Sequence, residues 1–309
     1  MTITIAIPTY NRGAILVETI ERLLTLAPRA DAILIADQTK QHPADVEQRL
    51  RSWHDEGAIR WMRLEEPSIP KAMNDALLAA TTELVLFFDD DLIPDGGIVA
   101  AHTNAHQNSE VWAVAGQVLQ PGEQPDVGRG FSPPLPGEGG LKPRPTLDFK
   151  FNSSQGAFIT NVMAGNLSVK RERALAIGGF DENFIGAAYR FETDFAMRVA
   201  AAGGRIWFEP NASIRHLQLS TGGLRSYGDH RSAPVPAHSA GDYYFALQHM
   251  PRFWRYAARR IVQNVATRYL ATHPWLIPAK LIGETRGLLL ARELHRKGRR
   301  LRVVPAGKP

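Results

Sequence analysis

A chain of 309 residues with 44% apolar and 22% charged content has the composition of a folded globular protein, with room for one large α/β domain and an extension. It holds no cysteine, which excludes disulfide staples, thiolate metal ligands and thiol redox chemistry, so any metal must be held by oxygen or imidazole. The formal net charge of +5 hides an asymmetry: residues 251–309 carry 14 Lys plus Arg against 2 Asp plus Glu, whereas the residues before them carry 22 against 29.

The opening MTITIAIPTYNR lacks the basic region, apolar stretch and cleavage site of an export signal and reads as a strand. No window approaches the ~18 consecutive apolar residues of a membrane span. Thr2 to Pro8 alternates and then saturates with Ile, as a strand entering a buried sheet does. After the Thr9–Gly13 turn, Ile15, Val17, Ile20, Leu23, Leu24 and Leu26 recur at helical spacing. A second strand is expected over Asp31 to Asp37, a helix around Val46 to His54 and a third strand over Ile59 to Leu64. A helix over Lys71 to Ala80 follows, then a fourth strand from Glu83 to Phe88 that ends in Asp89-Asp90-Asp91. This alternation predicts a mostly parallel, doubly wound sheet, in which ligands bind outside the carboxyl ends of the strands. The polar residues just past those ends, Thr9 to Arg12, Asp37 and the aspartate triplet, are therefore the candidate site.

Val111 to Leu119 is a further strand. Gln120 to Pro145, rich in Pro and Gly, reads as a mobile loop placed to act as a flap. Phe158 to Val169 reads as one strand, Arg171 to Ile177 as a helix, and Gly178 to Asp181 as a turn. A helix over Thr193 to Ala202 stops at Gly203-Gly204, and strands follow at Arg205 to Phe208 and Ala212 to His216. Leu219 to Gly241 is irregular, and amphipathic Arg-rich helices run from Asp242 onward.

Three adjacent aspartates repel one another, and crowding or burying them calls for a compensating cation. Carboxylates suit the hard ions Mg²⁺ and Mn²⁺, which keep positions open for substrate phosphates. A solvated acidic turn, or the cap of a helix beginning at Pro94-Asp95, is the alternative for the triplet taken alone.

The runs Ile7-Pro8-Thr9-Tyr10-Asn11-Arg12, Ala36-Asp37, Lys71-Ala72-Met73-Asn74 and Phe88-Asp89-Asp90-Asp91, in that order, resemble the N-terminal half of the family 2 glycosyltransferases. The resemblance continues through Gly165-Asn166-Leu167-Ser168, Gly178-Gly179-Phe180-Asp181-Glu182 and Glu192-Thr193-Asp194-Phe195-Ala196-Met197-Arg198 to His216. It implies the α/β GT-A fold: a doubly wound, mixed but mostly parallel sheet flanked by helices. The catalytic domain would span 1–218, with a nucleotide half at 1–118, the mobile loop at 120–145 and an acceptor half at 151–218. An irregular segment and a basic helical extension would fill 219–309. By position, Pro8, Thr9, Tyr10, Asn11 and Arg12 would border the nucleotide, Asp37 the base, and Lys71 and Asn74 the uracil or diphosphate. Asp89 and Asp90 would lie beside the ribose, Asp91 and His216 would hold Mn²⁺ or Mg²⁺, and Gly165 and Asn166 would meet the donor sugar or acceptor. The implied activity is inverting transfer from a nucleotide-sugar donor, UDP- or dTDP-linked, to a hydroxyl of a saccharide or lipid-linked glycan, in the cytoplasm.

Inversion needs a base within reach of the acceptor hydroxyl. The family draws it from a Glu-Asp pair at a helix start. Aligning Asp194-Phe195 and Arg198 puts Glu192 where the family has its Asp and Phe191 where it has the Glu, a departure that leaves Glu192 as the base and Asp194 as competitor. The helix dipole alone also accounts for an acid at 194. A sugar nucleotidyltransferase is the alternative enzyme, although Pro8 to Arg12 lacks the Gly-rich loop of that class; a binding protein on the same fold is the non-enzymatic one. For the basic tail two readings stand together, a helix lying on an anionic membrane surface at its inner face and a solvated helix packed on the catalytic domain. Nucleic acid is not expected, since no motif for it is present.

Overall fold

The computed structural model describes residues 1–128, 149–218, 222–223 and 234–302. The first strands form where the apolar runs put them: β1 (Ile3–Thr9), β2 (Ala32–Asp37), β3 (Arg60–Arg63) and β4 (Leu84–Phe88). They are separated by helices α1 (Gly13–Leu24), α2 (Ala44–Asp55) and α3 (Ile69–Ala79). Helix α3 begins where the sequence provides both a cap and a stop on alternatives: Ser68 Oγ accepts from the Lys71 amide, and Pro70 occupies the first turn. In register, β2 and β4 both pair β1 in parallel, and β3 pairs β2 in parallel.

Side chains of these strands alternate between two cores. Ile3, Ile5, Ile7, Ile33, Ile35, Leu84, Leu86 and Phe88 pack with Leu16, Ile20 and Leu50 from α1 and α2. Ala6, Leu34, Ala36, Val85 and Phe87 face the other way, onto Met73 and Leu77 of α3. Burial on both faces is why the runs are continuously apolar.

Next come β5 (Leu92–Pro94), α4 (Ile98–Ala105), β6 (Val111–Leu119), β7 (Ala157–Ile159), β8 (Asn166–Lys170), α5 (Arg171–Ala176), α6 (Phe191–Ala201) and β9 (Arg205–His216). Together the strands make one nine-stranded mixed sheet ordered β3-β2-β1-β4-β8-β6-β9-β5, with β7 paired to β9. Strand β8 enters antiparallel between β4 and β6, and β9 runs parallel to β6.

Several boundaries differ from the sequence expectation. The expected strand over Phe158 to Val169 is broken, because residues 160–165 leave the sheet to reach the end of β4. The two strands expected over 205–216 are one, carried through Pro210-Asn211 by a register shift against β6. Of the expected mobile loop, residues 129–145 lie outside the described residues, as does most of the irregular stretch from 219 to 233.

Helices α7 (Ala240–His249), α8 (Phe253–Val265), α9 (Arg268–Thr272) and α10 (Ile277–Lys297) complete the chain. Tyr243, Tyr244, Phe245, Phe253, Tyr256 and Ala291 from these helices join the core that holds Phe180, Phe191 and Phe195. No described helix is long and apolar enough to cross a membrane.

Candidate active site

The aspartate triplet follows a strand whose five residues are all buried, so the chain reaches the carboxyl edge of the sheet at Asp89 and must turn there. The three carboxylates then go different ways. Asp89 is exposed, while Asp90 and Asp91 are buried. Asp90 points inward: its carboxylate accepts from Thr9 Oγ1 at 2.6 Å and its backbone carbonyl from Thr19 Oγ1 at 2.8 Å, with the Arg12 guanidinium at 3.4 Å. Burial pushes the Asp90 carboxyl up to about 7, against the pull of Thr9 and Arg12.

Asp91 lies 3.2 Å from His216 Nε2 and 3.4 Å from Arg12. The other ring nitrogen, His216 Nδ1, is 3.1 Å from Gln120 Oε1, which can only accept, so Nδ1 carries the proton. Nε2 and a carboxylate oxygen therefore face each other and need a proton or a metal ion between them. Without a metal, the hydrogen bond to Asp91 raises the His216 pKa. One donor atom from each of Asp89, Asp91 and His216 lies within 4.8 Å of the others, and two carboxylates with an imidazole suit a divalent cation such as Mn²⁺. The residues present fit the metal.

A cleft of about 940 Å³ opens over this cluster, a volume suited to a ligand of nucleotide-sugar size. Thr9, Tyr10, Arg12, Gly222 and Gly223 line it, as do Met163 to Gly165 and Tyr189 to Glu192. Glu192 Oε1 accepts the Ala164 amide at 2.8 Å. The next residue, Gly165, lies against Asp89, where a Cβ would collide with the carboxylate. Glu192 is thus tied to the segment that touches the acidic cluster.

Residues 4–162, just over half of the chain, match the model of glycosyl transferase family 2. The chain belongs to that family. No curated protein matches the sequence. Among solved structures, a mannosyltransferase from Pyrobaculum calidifontis in complex with GDP-Man and Mn²⁺ superposes with TM-score 0.53 at 18% identity, over 99% of this chain and 76% of that one. GalNAc-T7 with UDP, GalNAc and Mn²⁺ gives 0.61 at 12% identity, over 97% and 58%. Residues 1–349 of S. aureus TarS with UDP-GlcNAc give 0.57 at 11%, over 100% and 98%. At such identities the likeness shows the fold, the GT-A fold of glycosyltransferases.

In this family 2 chain, Pro8, Thr9, Tyr10, Arg12, Asp89, Asp90, Asp91, Gly165, Glu192 and His216 come together around the cleft. Other candidates do not reach it. Asp37 is fully buried, bonded to His42 Nε2 at 2.6 Å, the Thr39 amide at 2.8 Å and Trp61 Nε1 at 2.9 Å. Burial alone would raise its carboxyl, but those hydrogen bonds hold it below the usual range. One position on, Gln38 lines the cleft instead.

Lys71 pairs with Glu66 at 2.8 Å on the surface. Buried Asn74 clasps the Phe180 backbone in both directions at 2.8 Å. Asn11 is exposed and lies off the cleft lining, with φ of 55°.

Asn166 donates to the carbonyls of Gln117 and Ala212 and so faces its oxygen to His102 Nε2 at 2.8 Å. It ties strands β6, β8 and β9 together and is not among the residues that line the cleft. Asp194 is buried among Arg198 at 2.8 Å, Arg299 at 2.6 Å and His249 at 2.7 Å. Burial would raise its carboxyl, and these partners drive it far below the usual range.

Three features escaped the sequence: Asp89 as a member of the metal-ligand set, Gln120 behind His216, and Arg190 in the cleft with left-handed φ of 74°. Only Asp89 left a signal, its place two residues before Asp91.

Proposed function

We propose that the chain transfers a sugar with inversion from a nucleotide-sugar donor, UDP- or dTDP-linked, to a hydroxyl of a saccharide or lipid-linked glycan. The observation that carries this is the meeting, in one cleft, of the Asp89, Asp91 and His216 set with Glu192, a carboxylate held by a backbone amide and outside that set. Asp89, Asp91 and His216 would hold Mn²⁺ or Mg²⁺, which when bound stabilises the charge developing on the leaving diphosphate. Arg12, fixed beside Asp90 and Asp91, adds positive charge at the same edge. Thr9, Tyr10 and Gln38 border the nucleoside.

Glu192 accepts the proton of the acceptor hydroxyl as the hydroxyl oxygen bonds the anomeric carbon and the bond from that carbon to the diphosphate oxygen breaks. The Ala164 amide orients the carboxylate for this. Asp194 suits the role less well, because Arg198, Arg299 and His249 engage its carboxylate in the core, away from the cleft. A nucleotidyltransferase is disfavoured because the turn after β1 has its first glycine only at Gly13.

A thermal-shift panel of UDP, dTDP, GDP and CDP sugars with and without Mn²⁺ tests the donor. UDP or dTDP sugars should stabilise the chain only with metal, and failure of every nucleotide would remove the assignment. Glu192→Gln keeps the acceptor for the Ala164 amide. It should bind donor as wild type does and lose roughly 10²- to 10⁴-fold in turnover; full activity would place the base elsewhere.

A further inference from the structure

Nine of the eleven arginines in the last sixty residues fall into two groups. Arg260 pairs with Asp242, Arg299 with Asp181 and Asp194, Arg300 with Glu182, and Arg302 with Asp75 and Glu182. These neutralise acids of the catalytic body. Arg252, Arg255, Arg268, Arg292 and Arg296 are exposed, and none pairs with an acid among the described residues. The two acids of the region are engaged: Glu284 is buried with Lys280, and Glu293 pairs with Lys297.

The second group borders an apolar strip. On α8, Trp254, Ala258 and Val262 recur every fourth residue on the outer face, with Trp254 58% and Val262 63% exposed. On α10, Leu281 and Leu289 are exposed, and Trp275 stands 69% exposed just before that helix. The two helices run antiparallel. Arg292 lies 5.2 Å over the Trp254 ring at one end, and at the other Val262, Val265, Ile277 and Leu281 line a groove of about 700 Å³. An apolar strip with large aromatic side chains, arginines beside it and no free acid is complementary to lipid tails under anionic headgroups.

We propose that the α8 and α10 face docks on an anionic lipid bilayer, with Trp254, Val262 and Leu281 in the interface and Arg255, Arg268 and Arg292 on the phosphates. The same helix is close to the cleft: Arg190, which lines it, pairs with Asp242 at 3.0 Å, and Asp242 also takes Tyr256 and Arg260 of α8. Docking would hold the cleft beside the membrane surface, where a lipid-borne acceptor is presented. That use rests on the transfer reaction proposed above, whereas the docking itself does not.

The test is co-sedimentation of the full chain, without donor or metal, with vesicles of phosphatidylcholine alone or mixed with phosphatidylglycerol. Wild type should bind only the anionic vesicles, less so as salt is raised, with a blue shift of tryptophan emission. The double variant Val262→Glu/Leu281→Glu should bind at least about tenfold more weakly. Arg255→Glu and Arg292→Glu should each lose at least roughly fivefold, and both sets should keep wild-type melting and nucleotide stabilisation. Wild type left in the supernatant with no emission shift overturns the proposal even if the substituted chains fail to fold. So does a double variant that binds as wild type, or a face that serves dimerisation or RNA binding without lipid binding. Loss of nucleotide stabilisation alone would strike the transfer reading and leave the docking standing.

Discussion

Glu192 and Asp194 stand two positions apart in α6 and have opposite environments. A helix carries them 200° apart around its axis, so one faces the cleft and the other the core, where Arg198, Arg299 and His249 converge on it. Asp194→Asn should therefore cost stability, about 2–4 kcal/mol by denaturant unfolding, with turnover per folded molecule largely kept. The reverse pattern would exchange the two roles. His102 and His106 form a buried pair bridged by Ser168. His102 donates from Nε2 to Asn166, so its Nδ1 accepts from Ser168, whose oxygen is met by His106 Nε2 at 2.8 Å. Burial lowers these imidazoles to about 4 and about 3, and the His102 charge further opposes protonation of His106. Their folded pKa values lie below the unfolded one, so below about pH 6.5 the unfolded chain takes up protons that the folded chain refuses. Stability from the pair is whole above that pH and falls as pH drops toward about 4, by on the order of a few kcal/mol. Urea unfolding at descending pH should show that loss, and His106→Gln should show less of it.

At the scale of elements, the segment between β7 and β8 decides whether the strand ends become a site. It leaves the sheet so that the Ala164 amide meets Glu192 and Gly165 packs on Asp89. Gly165→Ala should displace the Asp89 carboxylate and weaken Mn²⁺-dependent nucleotide stabilisation about 10- to 100-fold, while the metal-free melting temperature moves little. An unchanged metal titration would mean Asp89 is not needed in the set. This segment was not legible in the sequence, because Thr160 to Ala164 is as apolar as a strand and periodicity carries no sign of a chain leaving its sheet. By contrast β1, β2 and β4 were plain, since strands buried on both faces saturate with Ile, Leu, Val and Phe. The same limit explains the candidate residues. Proximity to a strand end found Thr9, Arg12 and the triplet, but it could not tell that Asp37 turns into His42 and Trp61 while buried Gln38 lines the cleft. β5 was missed for its length of three residues.

Over the whole molecule, the acidic body and the basic tail are parts of one electrostatic design. Past the C-cap Gly298, at φ of 83°, the chain turns back and lays Arg299, Arg300 and Arg302 on Asp181, Asp194, Glu182 and Asp75. The amide of Arg302 donates to the Gly178 carbonyl, and Leu301 fills the space a side chain at Gly178 would need. The net charge asymmetry visible in the sequence is in part this clasp, which no local pattern could assign because its partners lie more than a hundred residues away. Within it Arg299 is the critical member: its guanidinium serves two fully buried carboxylates, and Asp194 in turn anchors the helix that carries Glu192. Arg299→Ala should leave Asp181 and Asp194 short of a cation and lower stability by roughly 2–3 kcal/mol, a melting temperature drop of about 3–5 °C for a chain of this size. Arg296→Ala, exposed and without an acid partner, should change melting by no more than about 1 °C. If the two variants melted alike, the tail would be an ornament on the catalytic body; unequal melting makes it part of the support for the base.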